Sequence, residues 1–147
     1  MKQVLEISSM TTFEEIMRDI LKQDNILFSV RSGSAVCEAR IDSELPFRIR
    51  EQWATIGDET KSWHIHVNIQ EIIEARFVKE NKSESGKTSF SIRFYDKNDN
   101  LTLRANFVKM YDSSNFIIQE RASKYEEIFS KYGHKDSVLL ENSVKIP

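Results

Sequence analysis

Hydrophobic positions along this chain follow two periods, one near 3.6 residues and one of 2. Between Thr12 and Asp24, the residues Phe13, Ile16, Met17, Ile20 and Leu21 fall at i, i+3, i+4, i+7 and i+8, the buried stripe of a helix. Thr12 with Glu15 three residues later forms a capping box, which satisfies the free N–H groups of the first turn. Asp24-Asn25 closes the helix. Ile26–Val30 and Ala35–Ile41 then read as strands, and Arg31-Ser32-Gly33-Ser34 between them carries turn chemistry, so the pair is predicted as a hairpin.

The middle of the chain is less regular. Pro46 restricts its neighbourhood to an edge strand or loop, and Gly57-Asp58-Glu59-Thr60 reads as a turn. A strand is predicted over Ser62–Val67 and a short turn or helical bend over Asn68–Ile72. Three strands follow at Glu74–Lys79, Thr88–Tyr95 and Leu101–Lys109, joined by the polar stretches Asn81–Lys87 and Asp96–Asn100. Such short joints predict antiparallel neighbours. A closing helix is expected over Asn115–Tyr132, with Ile118, Ala122, Tyr125, Phe129 and Tyr132 on one stripe and Gly133 at its C-terminal cap. Val138-Leu139-Leu140 either docks as a last strand or leaves 134–147 as a loose tail. The expected fold is α+β: an antiparallel sheet of about six to nine strands with an N-terminal and a C-terminal amphipathic helix, forming one domain over 1–147.

Strand alternation sorts residues by face. Phe90, Ile92 and Phe94 share one side, and Ser91, Arg93 and Tyr95 the other; Leu101, Leu103, Ala105 and Phe107 oppose Thr102, Arg104 and Asn106. The apolar sets are expected beneath the helices. The polar sets leave a face of guanidinium, phenol and amide groups.

Composition narrows the class. With 147 residues, 39% hydrophobic and 30% charged, the chain can bury one core and is neither disordered nor a membrane protein by composition. Met1-Lys2-Gln3-Val4-Leu5-Glu6 lacks the apolar run of a signal peptide, and cytoplasmic residence is the expectation. A single cysteine, Cys37, excludes an internal disulfide and a cysteine-built zinc site; within a strand it reads as a small buried hydrophobe. Net charge is −2, with Lys and Arg interleaved among Asp and Glu. That pattern lacks the concentrated basic face of a nucleic-acid binder.

The residues with distinctive chemistry are Trp63-His64-Ile65-His66-Val67. His64 and His66 point to one side of their strand, their Cβ atoms roughly 6–7 Å apart from a rise of ~3.3 Å per residue. Trp63, Ile65 and Val67 face the core. Two imidazoles on one face can ligate a metal or offer haem an axial nitrogen; a bare H-x-H is also compatible with a solvated structural strand. His134 reads as a cation at a helix C-terminus, and Glu14-Glu15 as a solvated helix start. No nucleophile motif, Gly-rich phosphate loop or metalloprotease helix occurs.

Over Trp63–Asp112, Trp63–Val67, Ile72–Val78 and Thr88–Asp96 occur in the order strand, bend, apolar strand, polar joint and T-S-x-x-x-F-D-like segment. With the upstream hairpin around Val30–Cys37, this resembles the haem-utilisation proteins of the HemS/ChuX-like superfamily over roughly the central two-thirds of the chain. Asp99 stands where the family usually has Gly after F-D, and the axial histidine of the tandem members aligns with no residue here. One copy of the unit is present, so the resemblance implies a single-repeat binding protein, ahead of an enzyme, that pairs as a homodimer. It further implies haem or a related tetrapyrrole as ligand, serving haem trafficking, iron utilisation or haem degradation. His64 or His66 would be the axial ligand, Tyr95 a weaker one, and Arg93 and Arg104 the partners of the propionates. Two alternatives stand beside it: a dimeric scaffold or protein-interaction domain without haem, and a divalent-metal site at His64 and His66.

Overall fold

A computed structural model of the chain describes residues 10–41, 45–82 and 84–141. The expectations for Met1–Glu6 and for the tail beyond Glu141 lie outside these residues. Helix α1 (Phe13–Leu21) begins where Thr12 Oγ1 accepts the Glu15 amide at 3.1 Å, and buries Phe13, Ile16, Met17 and Ile20. The strands are β1 (Thr11–Thr12), β2 (Ile26–Ser32), β3 (Ala35–Ile41), β4 (Phe47–Arg50), β5 (Trp53–Gly57), β6 (His64–Asn68), β7 (Ile72–Lys82), β8 (Lys87–Asp96), β9 (Leu101–Phe107) and β10 (Ser137–Glu141). Helix α2 covers Gln119–Lys131, and a 3₁₀ turn, Ile69–Glu71, links β6 to β7.

The strands form two sheets. One has seven strands in the order β1-β10-β7-β8-β9-β2-β3, antiparallel except for the β1–β10 pair, and the other has three, β4-β5-β6. The large sheet is the expected antiparallel sheet of six to nine strands, and the small one is a second sheet beside it. The alternation of β8 and β9 holds for Phe90, Ile92, Phe94, Leu103, Ala105 and Phe107, which are buried, whereas a register shift after Phe94 sets Leu101 opposite Tyr95, half-buried and outside the core. Phe13 of α1 meets Phe94 edge-on at 4.9 Å, and Tyr125 of α2 sits among Phe90, Phe107 and Phe77. Ala54, Ile56 and Val67 of the small sheet join the same hydrophobic cluster. One core therefore joins the inner faces of both sheets.

Two further expectations change, and one alternative left open is decided. Helix α2 starts at Gln119, not Asn115, because the Asp112 carboxylate accepts the amides of Ser114 and Phe116 at 2.9 and 3.0 Å, and such a side chain competes with helix for N–H groups. Cys37 is exposed, because β2 stops pairing with β9 at Ser29 and the hairpin tip runs past the core. Val138 and Leu140 are buried and Leu139 is exposed, so the segment docks as β10 on β7. Asp99 takes the left-handed φ of 63° that the turn otherwise gives to glycine.

Candidate functional site

His64 and His66 project together from β6, as their spacing predicts, with ring centroids 4.8 Å apart and edge-on. Both side chains are exposed, while Val67 is buried and Trp63 and Ile65 pack partly against the core. The face they occupy is built by register. Arg48 pairs with Thr55 and Thr55 with His66; Arg50 pairs with Trp53 and Trp53 with Asn68; Gly57 pairs with His64. Arg48, Thr55 and His66 therefore form one cross-strand row on the outer side, with Arg50 and Trp53 in the next.

Each of these groups is held differently. His66 Nδ1 lies 2.9 Å from Oγ1 of the buried Thr55. In the tautomer in which Nδ1–H donates to that oxygen, Nε2 carries a lone pair and is free to ligate. Arg48 is ion-paired with Glu59, whereas Arg50 has no ion pair among the described residues. Trp53 is 44% exposed, which leaves indole surface in water that a flat ligand could cover. Arg48, Arg50, Glu51, Trp53, Thr55, Glu59 and His66 line a shallow cavity of about 430 Å³.

The other expected site residues lie elsewhere. Arg93, Tyr95 and Arg104 belong to β8 and β9 of the large sheet, whereas the histidines belong to β6 of the small one. The expectation that the imidazoles and these arginines share one face is corrected on that ground. Arg93 donates to Glu80 at 2.5 Å and to Ser91 Oγ at 3.0 Å, and that bond holds the Glu80 carboxyl below its usual range. Arg76 stands 3.7 Å over the Tyr95 ring and binds Glu74 and Asp99. The Arg76 bond lowers the Glu74 pKa against the opposing effect of burial.

Arg48, Arg50, Trp53 and Thr55 complete the small-sheet face but are not announced by the sequence pattern. Their hairpin turns through Glu51-Gln52, with Glu51 at φ 56°, and a glutamate there lacks the Gly or Asn signal of such turns. The available signal was the alternation Phe47-Arg48-Ile49-Arg50 next to Trp53-Ala54-Thr55-Ile56.

Comparisons with known proteins bear on the fold. No curated protein matches the chain significantly. Two solved structures of ChuX, one described as a haem-binding protein, superpose with TM-scores of 0.67 and 0.68 at 13% identity, covering 81% of this chain and 71% of theirs. A protein from Agrobacterium tumefaciens superposes with a TM-score of 0.65 at 20% identity, covering 81% of this chain and 66% of its own. At such identities the likeness establishes architecture. A protein-family model matches residues 14–133, which take in α1 from its second residue, strands β2 to β9 and α2. The chain belongs to the HemS/ChuX-like superfamily.

Proposed function

We propose that this protein binds haem or a related tetrapyrrole on the outer face of the small sheet, as a carrier in haem trafficking or iron utilisation. The observation that carries the reading is His66, exposed, tied at Nδ1 to Thr55, and flanked by Trp53 and two arginines on the same face. The donor set fits the group: an imidazole nitrogen for the metal, an indole for the flat macrocycle, and guanidinium forks for its carboxylates. His66 and Arg48 stand two strand spacings apart, about 9–10 Å, which places a metal-binding group and a carboxylate-binding group at different points of one extended ligand. His64, its ring beside that of His66, is the alternative axial donor. Arg48 and Arg50 take the carboxylate role expected of Arg93 and Arg104, because they share the histidines' face. Tyr95, covered by Arg76, is a poorer ligand than either imidazole.

Bound haem would supply its own iron redox chemistry; the chain contributes binding and orientation. Titration of the purified protein with haemin is expected to shift the Soret band, and His66→Ala with His64→Ala is expected to abolish that shift. An unchanged spectrum in the double variant would place the ligand elsewhere. No shift in the wild-type protein would leave the fold as a scaffold without haem, and metal analysis of chelator-free protein would then test the divalent-ion alternative at the histidines. Bleaching of the Soret band on adding a reductant would mark degradation rather than carriage. Sedimentation with and without haemin tests the homodimer.

A further inference from the structure

The outer face of the large sheet carries three arginines in a row: Arg76 is in register with Arg93, and Arg93 with Arg104. Like charges directly opposed on one sheet face repel, so each calls for an anion beside it. Arg76 has Glu74 and Asp99, and Arg93 has Glu80. Arg104 has no ion pair among the described residues, and its Nε is buried with no hydrogen-bond acceptor. Burial first, then the charge of Arg93, pushes the Arg104 pKa down, with Arg31 adding to the effect and Glu80 and Tyr95 opposing it. A buried, unpaired cationic donor is expensive to leave unsatisfied.

A groove of about 500 Å³ lies over this arginine, lined among others by Ser29, Arg31, Lys82, Thr102, Arg104 and Asn106. That volume is typical of a small-molecule site. Among the described residues its charged lining is Arg31, Lys82 and Arg104 against Glu38, an excess of positive charge in a chain whose net charge is −2. Ser29 stands in register with Arg104 on β2, and Asn106 Nδ2 donates to Leu27 O at 2.9 Å and to Ser29 Oγ at 3.2 Å. Leu27, Val36 and Leu101 supply apolar wall.

We propose that this groove binds a small organic anion, its carboxylate or phosphate group held by the Arg104 guanidinium and its body against the apolar wall, at a site separate from the small-sheet face. A guanidinium fork matches either head group in bidentate fashion. The anion would neutralise the arginine of the row that has no ion pair among the described residues.

The test is a titration of isotopically labelled protein with inorganic phosphate and, separately, with succinate, against sodium chloride at equal ionic strength. Saturable amide shifts are expected at Ser29, Arg31, Thr102, Arg104 and Asn106 with at least one of the two probes, and the responding probe identifies the head group. Arg104→Gln should weaken that binding about tenfold or more. Without ligand the variant should melt no lower than wild type, since the substitution removes the repulsion with Arg93. If Arg104→Gln does not fold, Arg31→Gln repeats the titration from an exposed position. The proposal is overturned if chloride gives the same shifts, if neither probe saturates, or if the variant titrates like wild type. A weaker haemin titration in Arg104→Gln would also overturn it, by merging the groove with the tetrapyrrole site.

Discussion

Thr55 shows how one side chain can decide what a neighbouring residue is able to do. It is buried in the middle strand of the small sheet and holds His66 Nδ1 at 2.9 Å, fixing both the ring's orientation and the nitrogen that faces outward. Thr55→Val keeps the shape and the strand preference but removes the hydroxyl. Haemin affinity is expected to fall by about ten- to a hundredfold, the usual cost of losing a partner behind a ligating histidine, with the circular dichroism spectrum unchanged. Unaltered affinity would mean that His66 is not the ligand or does not depend on this bond. Gly57 matters for a steric reason: at φ 97°, a Cβ there would lie 3.0 Å from Trp63 O and 3.2 Å from His64 Cα. Only glycine lets β5 approach β6 this closely where His64 begins the strand. The H-x-H pair was legible because strand alternation is a property of the backbone. The role of Thr55 was not, because its contact spans eleven residues.

Among the elements, α2 is tied down by an arginine as well as by its apolar stripe. Arg121 donates to the carbonyls of Asp24, Asn25 and Val108 at 2.7, 3.1 and 2.8 Å, linking the helix to the turn before β2 and to the end of β9. Arg121→Ala would strip these carbonyls of a charged donor, and a loss of about 2–3 kcal/mol is expected from that class of bond, measurable as a lower urea midpoint. A change within about 0.5 kcal/mol, ordinary for a surface substitution, would show that water replaces the guanidinium freely. The α1 and α2 stripes, the β2–β3 hairpin and the β7–β8–β9 meander were legible, since each is encoded by local periodicity with short joints. The β4–β5 hairpin and the true start of α2 were hidden by local exceptions: a left-handed Glu51, and an Asp112 side chain that takes up the amides a first helical turn would leave free.

For the molecule as a whole, acid stability follows from carboxylates that the fold holds ionised. Glu74 and Glu80 are pulled below an ordinary value of 4.5 chiefly by hydrogen bonds from Arg76 and Arg93. Asp58 and Asp96 are pulled below 3.8 chiefly by their bonds to Thr60 and Asn100. A carboxyl whose folded pKa is depressed adds stability that is complete above its unfolded value and vanishes as pH falls through the folded one. The melting temperature is therefore expected to hold near pH 6 and to drop as pH falls below about 4.5, and Glu80→Gln should make that drop shallower. A wild-type profile flat down to pH 3 would contradict the assignment.

The sequence by itself determined the α+β class, the two helices, the inner and outer faces of the best strands and the pairing of His64 with His66, because backbone periodicity and turn chemistry act over a few residues. The tertiary structure alone decided that these strands divide into two sheets around one core. It thereby set the histidines beside Arg48, Arg50 and Trp53, and left Arg93 and Arg104 on another surface. Which polar faces become neighbours depends on how apolar faces from distant parts of the chain share a single interior, and no local pattern carries that information.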